Sequence, residues 1–181
     1  MFVLNAIGNF SRTVIPTTCI VAIGSIVNAQ SLLPTDPTVI AGDIGFTLPN
    51  AGQLDIDQGS ASGIINWGTF SIWSGHTVSI DNGTGATLNR VTGAEASQIF
   101  GNLNATGAVY LLNQNSLFFG KDGVINTGGD FVASTLYIKN EDFLIGGDNI
   151  FKGNSNASVL NFGKIGSLGG DLALIARTVV N

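Results

Sequence analysis

The sequence predicts an all-β protein of many short strands joined by tight turns, and three observations carry that prediction. Charged residues make up only 10% of the chain, against about 25% in an average globular domain. The surface must therefore be built from Asn, Ser, Thr and Gly. Hydrophobic residues make up 44% and come in runs of about three to five, punctuated by Gly, Asn, Asp or Ser, which is the rhythm of strands and turns. Gly outnumbers Pro 25 to 4, so bends are made by a residue free to take φ > 0. A chain this apolar and this poorly charged is not disordered. Two architectures fit. One is a β-sandwich. The other is a parallel β-helix with coils of about 20 to 25 residues, in which Asn ladders at turns and Val, Ile, Leu and Phe ladder inside. No crisp repeat decides between them.

Residues 1–29 read as a secretory signal peptide. Arg12 is the only charge, Val14 to Val27 is mostly apolar, and Val27-Asn28-Ala29 offers a small-residue cleavage pattern before Gln30. The run is short for a membrane span, and Pro16 interrupts it. Cys19, the sole cysteine, falls inside this segment, so the mature chain has no disulfide and depends on its core or on stacked units.

The mature chain begins with a polar lead-in, Ser31 to Pro37, followed by an interrupted strand from Thr38 to Phe46. Gln53 to Gln58 alternates polar and apolar residues, the period of a half-buried strand. Strands follow at Ser62 to Trp67, Phe70 to Trp73 and Thr77 to Asp81, and Asp81-Asn82-Gly83 is a turn. Further strands are expected at Ala86 to Val91, Gln98 to Leu103, Ala108 to Leu112, Leu117 to Phe119, Gly123 to Ile125, Phe131 to Ile138, Asn149 to Phe151, Ser158 to Ile165 and Leu172 to Ala176. Asn66, Asn89, Asn113, Asn126 and Asn161 each fall in or after such a run, as a turn ladder would require. One helical turn is expected at Asn140 to Leu144, with Asn140 as N-cap and Glu141 and Asp142 in its first turn.

Composition also bounds function. The net charge of −5 comes with only 7 Lys and Arg, scattered singly, which excludes a phosphate-binding surface and hence a nucleic-acid partner. No metal site or cofactor is expected. His76 is the only histidine, set in a Ser-Gly-His turn as an exposed polar residue. Asp55 and Asp57 alternate with Leu54 and Ile56, as on a solvated strand face. Trp67 and Trp73 have apolar neighbours and pack in or cap the first coils. A β-helix polysaccharide lyase or hydrolase is one alternative function, but it needs several Asp, Lys and Arg converging on one groove. A carbohydrate-binding surface module is another.

Several stretches, in order, resemble the secretion domain at the N-terminus of filamentous-haemagglutinin-like exoproteins of two-partner secretion. These are Ile64-Ile65-Asn66-Trp67-Gly68-Thr69-Phe70-Ser71-Ile72, Leu88-Asn89-Arg90-Val91-Thr92-Gly93, Ser97-Gln98-Ile99-Phe100-Gly101, Phe131 to Leu136, and Leu168 to Ala176. Asn113-Gln114-Asn115-Ser116-Leu117 occupies the place of the family's Asn-Pro-Asn-Gly motif, with Gln114 where the family has Pro and Ser116 where it has Gly. The likeness covers residues 35 to 181. It implies a right-handed parallel β-helix (solenoid) with short capping strands and an extra-helical hairpin, spanning 30–181. It also implies a non-enzymatic secretion-targeting and folding-initiation domain of an adhesin-like exoprotein. The chain would cross the inner membrane by the Sec machinery. An outer-membrane β-barrel transporter with periplasmic recognition domains would then take it to the medium or the cell surface of a Gram-negative-type bacterium. The implied recognition segment is Asn113 to Leu117. Trp67 and Asn89, Arg90, Val91, Thr92 and Gly93 are implied structural positions. The pattern ends at Asn181 without a polar cap, so the expectation is the N-terminal part of a longer exoprotein, with host-cell or surface glycans met by a downstream region, or else a truncated gene product.

Overall fold

The computed structural model describes residues 31–181, so the signal-peptide reading of residues 1–29 lies outside the described residues. The described chain is a parallel β-helix, which settles the choice between solenoid and sandwich. Sheet 1 stacks β4 (Ser62–Trp67), β6 (Ala86–Val91), β9 (Ala108–Leu112), β12 (Phe131–Ser134) and β15 (Leu172–Ile175). Sheet 2 stacks β3 (Gln53–Gln58), β5 (Thr77–Asp81), β8 (Asn102–Ala105), β11 (Val124–Thr127) and β14 (Lys164–Ser167). Sheet 3 stacks β7 (Ser97–Ile99), β10 (Leu117–Phe119), β13 (Ser158–Asn161) and β16 (Thr178–Val180). The first coil closes its third side with a single parallel bridge from Ile72 to Ile99. Two strands run the other way: β1 (Thr38–Ala41) pairs antiparallel with β4, and β2 (Ile44–Asn50) with β3. They cover the N-terminal strand edges, which would otherwise offer free N–H and C=O groups to any passing strand.

The core is a set of ladders. Leu54, Val78, Leu103, Ile125 and Ile165 occupy one rung position of sheet 2. Ile65, Asn89, Leu111, Ala133 and Leu174 face them from sheet 1, and Ile99 and Phe119 from sheet 3. All but Asn89 join one apolar cluster. Full burial of each Leu, Ile or Phe contributes about 1.5–3 kcal/mol, so the repeated rung supplies stability that disulfides do not. Trp67 and Phe70 fill the N-terminal end, and Phe46 packs edge-on against Trp67 at 5.7 Å.

Sheet 1 is covered on both faces over much of β4, β6, β9 and β12. Ile64, Leu88, Tyr110 and Val132 stack on its outer side and form a second apolar cluster with Ile138 and Phe143. Those two residues belong to an excursion, residues 135–157, between β12 and β13. A Tyr137–Lys152 antiparallel bridge closes the excursion, and it carries α1 (Asn140–Ile145). It is the extra-helical element, a bridged loop with one helical turn.

Several expectations need correction. Gln98 to Leu103 and Ser158 to Ile165 are each two strands, broken at Phe100-Gly101 and Phe162-Gly163. The corners were hidden because their apolar residues do pack, but along the outside. Trp73, Phe100, Phe118 and Phe162 form a column with ring centroids 5.3, 5.6 and 5.7 Å apart. Thr38 to Phe46 is also two strands, and Phe131 to Ile138 ends as a strand at Ser134. Asn149 to Phe151 is not a strand; only Lys152 is bridged. The lead-in is part of the N-terminal cap, where Leu33 is buried and Thr35 bridges Thr69. The five asparagines do not form one ladder. Asn66 pairs with Arg90, Asn89 is buried inside the β-helix, Asn113 holds a turn, Asn126 donates to Asn104 on the face of sheet 2, and Asn161 lies in sheet 3. Asn140 is not the N-cap. Lys139 holds that position without a side-chain cap, since its ammonium can only donate, and the Asn140 side chain accepts from Arg90. His76 is half-buried, its Nδ1–H donating to the Ser74 carbonyl at 3.0 Å.

Candidate functional site

The Asn113–Leu117 segment turns the chain from β9 into β10. Asn113 is 1% exposed because its side chain organises the turn. Its Oδ1 accepts the Asn115 N–H at 2.9 Å, an Asx-type bond that fixes the bend. Its Nδ2 reaches back one coil, to the Glu95 carbonyl at 2.9 Å and Ser97 Oγ at 3.0 Å. Asn115 Nδ2 donates to the Gly93 carbonyl at 2.9 Å. Ser116 reaches forward, its Oγ accepting the Ser158 N–H at 3.1 Å. Ser116 also has φ of 106°, the left-handed half of the map that favours Gly. Gln114 is exposed, and only its backbone carbonyl is used, accepting from Ser155 Oγ at 2.8 Å. Leu117 is fully buried in the core.

The Asn89–Gly93 segment is the equivalent joint one coil earlier. Asn89 Oδ1 accepts the Trp67 indole N–H at 3.0 Å, inside the apolar core. That bond satisfies a donor whose desolvation would otherwise be costly. Val91 packs inward. Thr92 donates from both its backbone N–H and its hydroxyl to the Trp67 carbonyl, at 2.9 and 3.0 Å. Gly93 passes so close to Gly68 that a Cβ would collide with the Gly68 carbonyl oxygen. Arg90 points outward instead. Its Nη2 donates to the Ile138 carbonyl and its Nη1 to Asn140 Oδ1, both at 2.9 Å, and its guanidinium lies over the Tyr137 ring at 4.7 Å. Burial holds its pKa below the ordinary arginine value, against a smaller opposing effect of Tyr137.

The fold brings these two segments together. Arg90 to Ala94, Leu112, Gln114, Asn115, Leu136 and Tyr137 line one groove of about 470 Å³. Sequence reasoning named both segments but missed their shared wall. Leu136 and Tyr137 come from the excursion, and Glu95, Ser97 and Ser158 receive or complete the turn's bonds from neighbouring coils. Only the coil period could have revealed them, and the period is broken. The steps along the Leu54–Ile165 ladder are 22 to 25 residues until the last, which is 40. Trp67 is likewise separated from the groove by the sheet. Among the described residues, no group of three or more His, Cys, Asp or Glu converges where it could hold a metal ion.

A capped parallel β-helix, whose signature side chains are spent on joining one coil to the next, defines a class of stacked β-solenoid scaffold. Residues 30–181 match the family model of the TPS secretion domain, and the chain belongs to that family. It is 32% identical over 131 residues to a heme/hemopexin-binding protein of Haemophilus influenzae, a match covering 71% of this chain and 13% of that protein. A second heme/hemopexin-binding protein, from Haemophilus influenzae strain KW20 / Rd, is 34% identical over 105 residues, or 56% of this chain and 11% of that protein. The chain therefore spans little more than a tenth of these relatives' length. The crystal structure of the HMW1 secretion domain from Haemophilus influenzae superposes with a TM-score of 0.67 at 29% identity, covering 82% of this chain and 45% of that one.

Proposed function

We propose that this chain is the secretion-targeting and folding-initiation domain of an adhesin-like exoprotein, and that a partner outer-membrane β-barrel transporter recognises its Asn113–Leu117 segment. Family membership makes it a secretion domain of the TPS type, a class of exoprotein secreted by Gram-negative bacteria. The observation that carries the finer reading is the division of labour in that segment. Asn113 and Ser116 join coils, whereas the Gln114 side chain is exposed and makes no hydrogen bond among the described residues. A residue with no structural task in a family motif is where a partner contact and a folding contact come apart. In the reading favoured here, the periplasmic domains meet the segment while β9 and β10 are still extended and their edges can add to a partner sheet. Coils then stack outside, each on the last. The signal peptide, the Sec route and passage through the periplasm complete the path, and glycan contacts would belong to a region beyond residue 181.

The test is co-expression with the cognate barrel and assay of the medium. Asn113→Ala with Asn115→Ala is expected to lose secretion and folding together. Gln114→Ala is expected to lower secretion while leaving the urea midpoint of the purified domain unchanged. Secretion that survives the double Asn replacement removes the recognition role of the turn.

A further inference from the structure

The outer face of sheet 1 needs an explanation of its own. Ile64, Leu88, Tyr110 and Val132 come from four successive coils, and each is buried. The side chains within the sheet pack beside them and do not lie over them. The cover is the excursion: Ile138 and Phe143 lie over the column, with the Phe143 ring edge-on to Tyr110 at 5.3 Å. Its two ends are tied to each other by the Tyr137–Lys152 pair, N–H to carbonyl in both directions at 2.8 Å. It is tied to the barrel by Arg90, whose donors reach Ile138 and Asn140, 48 and 50 residues further along the chain. Arg90 has no carboxylate within ion-pair distance; the ion pair among the described residues is Lys121–Asp122. Without the excursion, the guanidinium would keep Asn66 Oδ1, at 3.4 Å, as its protein partner and would otherwise face water.

We propose that residues 137–152 are a strap that locks the β-helix from outside, with Arg90 as its latch. The first three coils can stack through their inner ladders, but until the strap arrives their outer face stays bare and Arg90 is held only by water and Asn66. The outer face of sheet 1 is therefore locked late in the chain, at about Lys152, and not coil by coil at uniform cost. The consequence for export rests on the secretion reading above: early coils that have left the transporter stay unlocked until the strap has left it too, so they remain open to reversal or to partner contact. The strap and the latch themselves do not rest on that reading.

The experiment is a double-mutant cycle in the whole domain. Because Tyr137 and Lys152 are already paired, residues 138–151 can be replaced by the two-residue turn Asn-Gly without moving the ends. Arg90→Gln is made with and without the strap. With it, the amides of Phe143 and Lys152 are expected to exchange hydrogen about tenfold faster or more, as loss of bonds from a charged donor predicts, and the urea midpoint falls. Without it, Arg90→Gln is expected to change the unfolding constant less than about twofold, within the ordinary range for a surface substitution. An equal effect in both backgrounds overturns the proposal. Should the strapless chain fail to fold, Arg90→Gln is combined with Asn140→Ala in the full chain. Non-additive effects support the latch and additive ones overturn it. A failed secretion assay leaves either result standing.

Discussion

Ser116 sits at φ of 106° although it carries a Cβ. Such a conformation costs a non-glycine residue on the order of 1 kcal/mol or more. It persists because the backbone is fixed on both sides: the Ser116 carbonyl accepts the Ser97 N–H at 3.0 Å, and its hydroxyl accepts from Ser158. Ser116→Gly relieves the strain and gives up one partly exposed bond that water can replace. The expected net gain is about 0.5–1 kcal/mol in urea unfolding; a loss would show that the hydroxyl bond outweighs the strain. Buried amides elsewhere do similar work. Asn82 Oδ1 accepts the Gly107 N–H at 2.6 Å while its Nδ2 donates to Thr87 Oγ1 and the Ala108 carbonyl. The Asp81-Asn82-Gly83 turn signal was thus legible in the sequence. That Asn82 is 3% exposed and joins three segments was not, since its partners lie up to 26 residues away.

At the scale of elements, the contact between the strap and sheet 1 has a titratable reporter. Burial raises the Tyr110 hydroxyl above its usual range, and Asp130 adds to this, while a hydrogen bond from Asn149 opposes it. The folded chain therefore holds this proton more tightly than the unfolded chain does. The stability it contributes is fully present below the unfolded value of about 10 and is lost as pH rises from there through the higher folded value. Urea midpoints between about pH 8 and 11 are expected to fall more steeply in the parent than in Tyr110→Phe. Parallel curves would mean that Tyr110 ionises in the folded state as freely as in the unfolded chain. The strands of sheet 1 were recognisable because they read as near-continuous apolar runs, the mark of parallel strands covered on both faces. What covers the second face was not recognisable, because α1 has only 6 residues and its burial rests on Phe143.

For the whole molecule, low charge sets the response to salt. The Lys121–Asp122 pair is exposed on both sides at 2.6 Å, and exposed pairs contribute about 0–1 kcal/mol. Asp57 and Asp81 face each other on adjacent strands of sheet 2, a like-charge pair that salt screens. Unfolding free energy is expected to change by less than about 1 kcal/mol between 0.05 and 0.5 M NaCl, and in the direction of greater stability. A marked loss of stability with salt would show that ion pairs carry more of the fold than the ladders do. The ladders also explain why an unbridged chain suffices. Apolar rungs repeat from coil to coil, so each strand added buries the face of the one before it.

The sequence by itself determined the class of structure: short apolar runs, glycine bends and few charges permit little but a β protein with many turns. The order of its motifs carried the family likeness. Tertiary structure alone decided that Asn89–Gly93 and Asn113–Leu117 share a groove, that five asparagines perform different tasks, and that Arg90 reaches across to the strap. The physical reason is stacking. In a β-helix a residue's neighbours lie one coil away, and a 40-residue final step along the Leu54–Ile165 ladder removes the fixed spacing that would have let those neighbours be counted from the sequence.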